Sequence, residues 1–176
     1  GARVMMLDVN EDVGARAAAV ISGARFFCTD VSDKAAVDST VDEIIADAGR
    51  IDICVNNAGI LRSGEVLEIS EEDFDKVLSV NLKGAFLMSQ ATGRHMVAGG
   101  GGSIINMSSV NGIMTIPNIL PYNVSKGGLD QLTRVMAVAL ADKHVRVNAI
   151  GPGSILTEML QQVMTDEAKR HAILSR

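Results

Sequence analysis

The nine residues IDICVNNAG, from Ile51 to Gly59, decide the fold. Ile51–Val55 is a short, mainly apolar run, and two asparagines, an alanine and a glycine follow it directly. Such a run, bounded by small and polar residues, is typical of a buried strand whose carboxyl end opens into a loop. The stretch therefore predicts a strand of a parallel sheet that presents polar groups at one edge.

The same alternation recurs on both sides of this stretch. Further strands are predicted at Arg3–Leu7, Ala24–Cys28, Ser103–Met107 and Val145–Ile150. Amphipathic stretches predict helices at Asn10–Val20, Asp33–Ala48 with Ser32 as its N-cap, Ser70 towards Val97, Pro121–Ala141 and Leu156–Leu174. Strands separated by helices indicate an α/β fold, here a Rossmann-like, doubly wound parallel sheet in three layers, α/β/α. We expect a single domain over residues 1–176.

Composition excludes several classes of function. The formal net charge of −5 gives no electrostatic footprint for nucleic acid, and 47% hydrophobic residues exclude a disordered chain. No apolar run is long enough for a membrane span, so no membrane partner is expected. Cys28 and Cys54 lie in apolar runs and are expected to be small buried thiols of a reduced, cytoplasmic protein. The three histidines have no metal-ligand spacing, and we expect no metal.

Small or polar residues follow every predicted strand. Because parallel α/β sheets bind ligands beyond the carboxyl ends of their strands, these residues indicate one shared cleft. They are Asp8, Asp30, Asn56–Gly59, Ser108 with Ser109, and Pro152 with Gly153.

Asp8 is the sharpest cofactor signal in the sequence. An acidic residue at the end of a strand in a dinucleotide fold can accept hydrogen bonds from the adenosine ribose, and it would repel a 2′-phosphate. Val9 and Asn10 supply no arginine to neutralise such a phosphate, so the pattern favours NAD over NADP. The alternative is that Asp8 merely caps the helix that follows.

Tyr122 and Lys126 form the candidate acid–base pair. They are four residues apart on a predicted helix, and therefore share a face. A neighbouring ammonium is expected to lower the pKa of a tyrosine, which otherwise titrates near about 10. Ser109 ends a strand and can point into the same cleft, and Asn81 is an unusual residue for a helix interior. By itself a Tyr-x-x-x-Lys pair is weak evidence, and chance is the alternative.

These residues together resemble the short-chain dehydrogenase/reductase superfamily, in its ordinary NAD(P)-dependent branch. The resemblance covers nearly all of the chain. Its matching pieces, in order, are Asp8, Asp30-Val31, Asn56-Asn57-Ala58-Gly59, Ser79-Val80-Asn81, Asn106-Met107-Ser108-Ser109, Tyr122-x-x-x-Lys126 and Pro152-Gly153-x-x-x-Thr157.

The resemblance implies a catalytic tetrad of Asn81, Ser109, Tyr122 and Lys126. Tyr122 would be the general acid or base, and Ser109 would bind the substrate oxygen. Lys126 would hold the nicotinamide ribose, and Asn81 would hold a water that relays protons. Ser108 competes for the serine role, and the family spacing favours Ser109. The implied cofactor-binding residues are Asp8, Asp30, Val31, Asn57, Ala58, Gly59, Tyr122, Lys126, Pro152, Gly153, Ile155 and Thr157.

The sequence departs from the family at both ends. The glycine-rich T-G-x-x-x-G-x-G loop is absent, because the element that should follow it begins at Gly1, and the chain stops at Arg176 before the family's final strand. We therefore expect a sheet incomplete at both ends and a part of a longer polypeptide. The family's first strand would lie between the strands at Arg3–Leu7 and Ile51–Val55, so those two are expected not to be hydrogen-bonded.

The expected function is hydride transfer between NAD and a secondary alcohol or ketone, such as a 3-oxoacyl thioester, a sugar or a steroid-like alcohol. The alternatives are a non-catalytic dinucleotide-binding protein and an inactive fragment of the same family. The resemblance implies a homodimer or homotetramer. Apolar residues where the family selects its substrate favour a ligand with an apolar portion; they are Ile113, Met114, Ile116, Ile119, Leu156 and Met159.

Overall fold

A computed structural model describes residues 1–157 of the protein. Strands and helices alternate along these residues, as the sequence predicts, whereas the helix predicted at Leu156–Leu174 falls almost wholly outside them. The strands are β1 (Met5–Asp8), β2 (Arg25–Cys28), β3 (Ile53–Asn56), β4 (Gly102–Met107) and β5 (Val145–Ile150). The α-helices are α1 (Glu11–Ala19), α2 (Lys34–Ala48), α3 (Glu71–Leu78), α4 (Ala85–Ala98) and α5 (Leu120–Leu140).

All strand pairs are parallel, and they form two sheets. β1 pairs with β2, while β4 pairs with both β3 and β5. No hydrogen bond joins β1 to β3 within the described chain, which agrees with the expectation that these strands are not neighbours. Parallel pairing brings the carboxyl ends of β3, β4 and β5 to one edge, where the predicted site residues lie.

The apolar core lies on one face of the sheet β3–β5. Cys54, Ile104, Val145 and Val147 project from three strands and pack against Met96 of α4. A second cluster joins α2 to α4 and contains Val37, Val41, Leu87 and Ala91. These two clusters hold the strands and helices of the site in a fixed arrangement.

The opposite face of β3 is open in the described residues. Ile53 and Val55 alternate with buried Cys54 and are 60% and 52% exposed. The apolar run at Ile51–Val55 predicts a strand covered on both faces, and residues 1–157 supply a cover for only one of them.

Helix α2 begins differently from the prediction. Asp33, and not Ser32, is its N-cap, because the Asp33 carboxylate accepts hydrogen bonds from the amides of Ala35 and Ala36 at 2.8 and 3.3 Å. The Ser32 hydroxyl instead donates to Asp30 Oδ1 at 2.6 Å. Both side chains can cap a helix, but the Ser32 hydroxyl is already hydrogen-bonded to the neighbouring carboxylate of Asp30.

The helix predicted from Ser70 towards Val97 is interrupted in its middle. Ser70 caps α3 through a hydrogen bond to the amide of Asp73 at 3.1 Å, as predicted. A π-helical segment, Ser79–Gly84, then separates α3 from α4. Segments of this kind are rare and occur mostly at functional sites, because the extra residue in the turn redirects a side chain. Here the redirected turn contains Asn81.

The two cysteines differ in exposure. Cys54 is buried beneath α4, as predicted, and burial raises the pKa of its thiol. Cys28 is exposed at the end of β2, so the expectation of a buried thiol is wrong there. Within residues 1–157, no helix is long and apolar enough to cross a membrane.

Candidate active site

Tyr122 and Lys126 lie side by side at the start of α5. Pro121 stands at the first turn of this helix, where its missing N–H costs nothing. One turn separates the two side chains, and Lys126 Nζ lies 5.4 Å from the centre of the Tyr122 ring. The ammonium also donates to the carbonyl of Met107, at the end of β4, at 2.6 Å. The structure thus brings the predicted pair together and connects it to the sheet edge.

Burial raises the pKa of Tyr122, and a hydrogen bond with the Ser109 side chain lowers it in part. The sequence argument expected the ammonium of Lys126 to lower this pKa below its usual value, and that expectation is wrong in direction. The half-buried phenol loses solvation when it ionises, and Lys126 Nζ points to the Met107 carbonyl. The phenol therefore carries its proton at neutral pH in this structure.

Lys126 is the most perturbed ionisable group of the site. Its side chain is 5% exposed, and burial lowers its pKa from 10.5 to about 8, although the charge of Asp130 one turn later opposes this shift. A lysine of this kind is still mainly protonated at neutral pH. Strongly shifted groups in a cleft are typical of functional sites.

The structure separates the two candidate serines. Ser109 makes a side-chain hydrogen bond with Tyr122, and its Oγ accepts from the amide of Asn111 at 3.1 Å. The Ser108 hydroxyl is oriented to the backbone carbonyl of Lys126, at 3.4 Å. The geometry therefore favours Ser109 as the serine that meets a substrate beside the phenol.

Asn81 is held by the loop that follows β3. Its Nδ2 donates to the carbonyl of Ile60 at 2.9 Å and to Ser125 Oγ at 3.1 Å, while its Oδ1 accepts from the amide of Ile60 at 2.8 Å. Both N–H groups of the amide are thus used within the protein. A water bound to this side chain would have to donate to Oδ1.

Gly59 faces the side chains of Asn81 and Lys126. A Cβ at this position would stand 3.5 Å from Asn81 Oδ1 and 3.8 Å from Lys126 Nζ. Its neighbours Asn57 and Ala58 are exposed at the same sheet edge. The loop therefore offers an open backbone surface directly beside Lys126, as a ligand that approaches the backbone closely would require.

Asp30 and Val31 lie beside the π-helical segment. Asp30 Oδ1 accepts from both the amide and the hydroxyl of Ser32, and these bonds lower the pKa of the carboxyl group. Val31 packs so tightly against Gly84 that a Cβ on the glycine would stand 2.7 Å from Val31 Cγ2. This contact joins the loop after β2 to the elements that carry Asn81.

Asp8 stands apart from the tetrad, at the end of β1. Its Oδ1 accepts from the amide of Asn10 at 2.9 Å, and Asn10 in turn caps α1 through the amide of Val13. The N-cap of α1 is therefore Asn10, and the interpretation of Asp8 as the cap of this helix is wrong. Among the described residues, Oδ2 takes no hydrogen bond and remains open to a ligand.

The predicted cofactor-binding residues after β5 lie in a segment without helix or strand, residues 152–157, which we call the strap. Pro152 accepts a hydrogen bond from the amide of Val110 at 3.0 Å, which ties this strap to the residues after Ser109. Ile155 accepts from the amide of Thr157 at 2.8 Å. Gly153 has open space around its Cα.

Sequence reasoning missed two features that support the site. Ser125 is fully buried between Tyr122 and Asn81, and only its position within the Tyr122–Lys126 stretch could have indicated it. Asn56 Nδ2 donates to Asn106 Oδ1 at 2.8 Å and to Ser89 Oγ at 2.7 Å, in a buried polar network below the strand ends. Across residues 1–157, no group of three His, Cys, Asp or Glu side chains is arranged to hold a metal ion.

Fold and site together define a class of protein: a parallel α/β fold in which a tyrosine on a helix lies beside a lysine of the same helix and a serine that follows a strand. Comparison with known proteins identifies the family to which the chain belongs. The family model described as enoyl-(acyl carrier protein) reductase matches residues 1–176. The chain belongs to the short-chain dehydrogenase/reductase superfamily.

Three relatives illustrate the range of this similarity. D-threitol dehydrogenase of Mycolicibacterium smegmatis is 39% identical over 163 residues, which cover 90% of this chain and 63% of that protein. Cyclopentanol dehydrogenase of Comamonas testosteroni is 36% identical, and the match covers 99% of this chain and 71% of that protein. A crystal structure of gluconate 5-dehydrogenase from Burkholderia cenocepacia, in complex with NADP and tartrate, has a TM-score of 0.90 at 35% identity and covers 98% of this chain and 69% of that one. The chain thus spans about two thirds of the length of these relatives.

Proposed function

We propose that the protein is an oxidoreductase that transfers hydride between a nicotinamide dinucleotide and a secondary alcohol or ketone. The observation that carries this proposal is the meeting of Tyr122, Lys126 and Ser109 beside the open backbone at Gly59. The cleft fits a dinucleotide, because a Cβ at Gly59 would fill the space next to Lys126 and because Asp8 keeps one free carboxylate oxygen. The bound nicotinamide supplies the hydride chemistry.

The protein's own groups supply position and a proton. Tyr122 is protonated at neutral pH, so its phenol can give a proton to the oxygen of a carbonyl substrate, and it can take one back in the reverse direction. Ser109 can donate to the same oxygen as negative charge develops on it. Lys126 is mainly cationic at neutral pH and stabilises the phenolate that remains after the proton has left.

Replacing Tyr122 tests this function. Tyr122→Phe removes the phenolic proton that the proposed reaction transfers, so we expect full-length protein to lose alcohol-dependent formation of NADH or NADPH. Its Kd for the cofactor, measured by fluorescence titration, should stay within about twofold of wild type. Ser109→Ala should lower turnover by roughly a hundredfold or more, as loss of an oxyanion donor does.

Ser108→Ala is the matched control, since Ser108 meets only backbone at the site. It should keep most of the activity. Retained turnover in Tyr122→Phe would refute the assigned role, and absence of turnover by wild type on a panel of alcohols and ketones would favour a non-catalytic dinucleotide-binding protein.

We propose NAD as the preferred cofactor. Asp8 Oδ2 is open at the strand end where a ribose would bind, and a carboxylate there repels a 2′-phosphate. The similar solved structures include the gluconate 5-dehydrogenase with NADP and a xylitol dehydrogenase with NAD+, so both cofactors occur among them. Asp8→Ser should shift the ratio of kcat/KM for NAD over NADP towards NADP by at least about tenfold, and an unchanged ratio would contradict the assignment.

The substrate class we propose is a secondary alcohol with an apolar portion. Four apolar side chains beside the strand ends are largely exposed and available to contact an apolar part of a substrate: Ile113, Met114, Ile155 and Leu156. The named substrates of the relatives include both a polyol, threitol, and an apolar ring alcohol, cyclopentanol. A 3-oxoacyl thioester, a sugar and a steroid-like alcohol are the compounds to screen first.

We further propose a cytoplasmic homodimer or homotetramer. An apolar groove runs between α3, the π-helical segment, α4 and α5; it is lined by Leu78, Leu82, Phe86 and Leu132 together with the charged residues Asp75 and Lys83. Val135 and Val138 are exposed further along α5. Such a surface suits the packing of helices from a second copy. The free thiols of Cys28 and Cys54 support a reducing compartment.

A further inference from the structure

Ser125 occupies a position between two members of the proposed tetrad. Its side chain is fully buried on α5, one turn after Tyr122. Its hydroxyl donates to the backbone carbonyl of Tyr122 at 2.7 Å and accepts from Asn81 Nδ2 at 3.1 Å. A single hydroxyl therefore connects the helix of the acid–base pair to the π-helical segment.

The connection continues from Asn81 into the cofactor-facing loop. Asn81 Nδ2 and Oδ1 bind the carbonyl and the amide of Ile60, at 2.9 and 2.8 Å. Ile60 directly follows Gly59, whose Cα faces Lys126 Nζ. The hydrogen bonds thus run from Tyr122 through Ser125 and Asn81 to the backbone next to Lys126.

The orientation of the Asn81 amide depends on Ser125. Among the described residues, Ser125 Oγ is the only acceptor besides the Ile60 carbonyl for the two N–H groups of this 1% exposed amide. Without the hydroxyl, one buried N–H has no partner, and the amide can reduce that cost only by turning away from Ile60.

We propose that Ser125 is a positioning residue: it orients Asn81, and through Asn81 it fixes the loop at Gly59 and Ile60 relative to Lys126. The inference rests on the proposed function for its kinetic consequence, but its structural consequence at Ile60 does not depend on activity.

The same helix offers a matched control. Thr133 lies two turns further along α5 and is also buried; its hydroxyl donates to the Leu129 carbonyl and accepts from Asn106 Nδ2, both at 2.8 Å. Thr133→Val deletes a hydroxyl with the same two kinds of bond, and it keeps the volume of the side chain. It is therefore expected to lower the melting temperature without a change at Ile60.

The first experiment is amide hydrogen exchange at Ile60 in full-length protein. We expect Ser125→Ala to increase the exchange rate of this amide at least about tenfold relative to wild type, and Thr133→Val to leave it within about twofold. Ser125→Cys keeps nearly the same side-chain volume, but its thiol forms only weak hydrogen bonds. This variant replaces Ser125→Ala in the experiment if the alanine variant does not fold. Unchanged protection of Ile60 in a folded Ser125 variant would overturn the proposal.

The second experiment is a double-mutant cycle on kcat and on the cofactor Kd. We expect Ser125→Ala to lower kcat and raise the Kd for NADH about tenfold each, and to add nothing further when Asn81 is already alanine, since Ser125 acts through Asn81. Additive effects would overturn the proposal. If wild type shows no turnover at all, the proposed function fails, while exchange at Ile60 still decides the role of Ser125.

Discussion

Lys126 is a buried lysine whose hydrogen-bond partner is a backbone carbonyl. Across the described residues, no carboxylate lies within ion-pair distance of its Nζ, and Asp130 acts on it only over a longer range. A charge in this position is expensive for the fold, because the chain must desolvate the ammonium without a paired anion. The chemistry proposed for Tyr122 would need a cation nearby, which gives a functional reason for this cost.

This cost gives a prediction about stability and pH. Lys126 binds its proton less tightly in the folded state, where its pKa is about 8, than in the unfolded state. The unfolded chain therefore holds more protons between pH 8 and 10.5, and the contribution of Lys126 to stability rises with pH across that window. Lys126→Met has no group that titrates in this way. The free energy of unfolding of the variant minus that of wild type should therefore be roughly 3 kcal/mol larger near pH 7 than above pH 10.5.

Urea unfolding of both proteins at a series of pH values measures this difference. Comparing the two proteins at each pH cancels the opposite trend expected from Tyr122 and Cys54, whose raised pKa values reduce stability at high pH. A difference in unfolding free energy that stays constant from pH 7 to above pH 10 would contradict a lowered pKa for Lys126.

At the scale of single residues, the sequence could predict which side chains meet, but not how their surroundings shift their pKa values. The spacing of Tyr122 and Lys126 places both on one helix face whatever surrounds them. The direction of the Tyr122 pKa depends instead on burial and on where Lys126 Nζ points, and both are set by residues far away in the sequence. The same holds for Ser125, whose second bond joins it to a residue on another helix.

The π-helical segment is the element on which the site most depends. Its last residue, Gly84, packs against Val31 so closely that an added Cβ would approach Val31 Cγ2 to 2.7 Å and the Val31 carbonyl to 3.3 Å. The glycine is therefore a spacer between the π-helical segment and the loop that is expected to face the adenine. Crowding at this point should displace both.

Gly84→Ala should destabilise the protein by about 1–3 kcal/mol, because the added carbon overpacks a buried contact that includes backbone. The same variant should raise the Kd for NADH. Gly93→Ala in α4 is the control: its Cβ would meet Ile104 at an ordinary 3.9 Å, and alanine favours a helix, so its stability should equal or exceed wild type. Chemical denaturation of both variants checks this, and equal losses would argue against the spacer role.

Elements were largely predictable and their irregularities were not. The five strands and the cap at Ser70 follow from local patterns, and the structure has them within a few residues of the prediction. The π-helical turn shows itself locally in Asn81, an unusual residue for a helix interior, but its form depends on the partners that Asn81 finds in Ile60 and Ser125. The cap at Asp33 was missed because two adjacent residues could both cap, and Asp30 decides between them.

At the scale of the whole molecule, α5 carries both the candidate site and the exposed apolar side chains of the proposed interface. Its first turns carry the site, and Val135 and Val138 are exposed near its other end. If the proposed oligomer forms through this helix, a charge on its apolar surface should weaken the assembly while each subunit keeps its fold.

We expect Val138→Asp to shift full-length protein to a smaller species in light scattering coupled to size-exclusion chromatography, because the charge would be buried without a partner. Val138 is 82% exposed, so the monomer itself tolerates the change. Val20→Asp at the end of α1 is the matched control, at 84% exposure, and should leave the mass unaltered. Identical masses for all three proteins would contradict an interface through this part of α5.

The sheet shows what the pattern of strands alone determines. Alternation of strands and helices predicts parallel pairing, and every observed pair is parallel. The expected lack of pairing between β1 and β3 followed from the family resemblance and not from composition. The open face of β3 could not be foreseen, since an apolar run reads as buried on both sides whichever elements cover it.

The buried bond between Asn56 and Asn106 joins positions 50 residues apart, and it lies beneath a site assembled from separate elements. Contacts so distant along the chain form only after long loops have closed, and this makes parallel sheets slow to fold. We therefore expect the loop at Gly59 to reach its final position only after β4 has docked, and Lys126 is synthesised later than either. On the proposed function, we therefore expect catalytic activity to return late during refolding, after the recovery of helical circular dichroism.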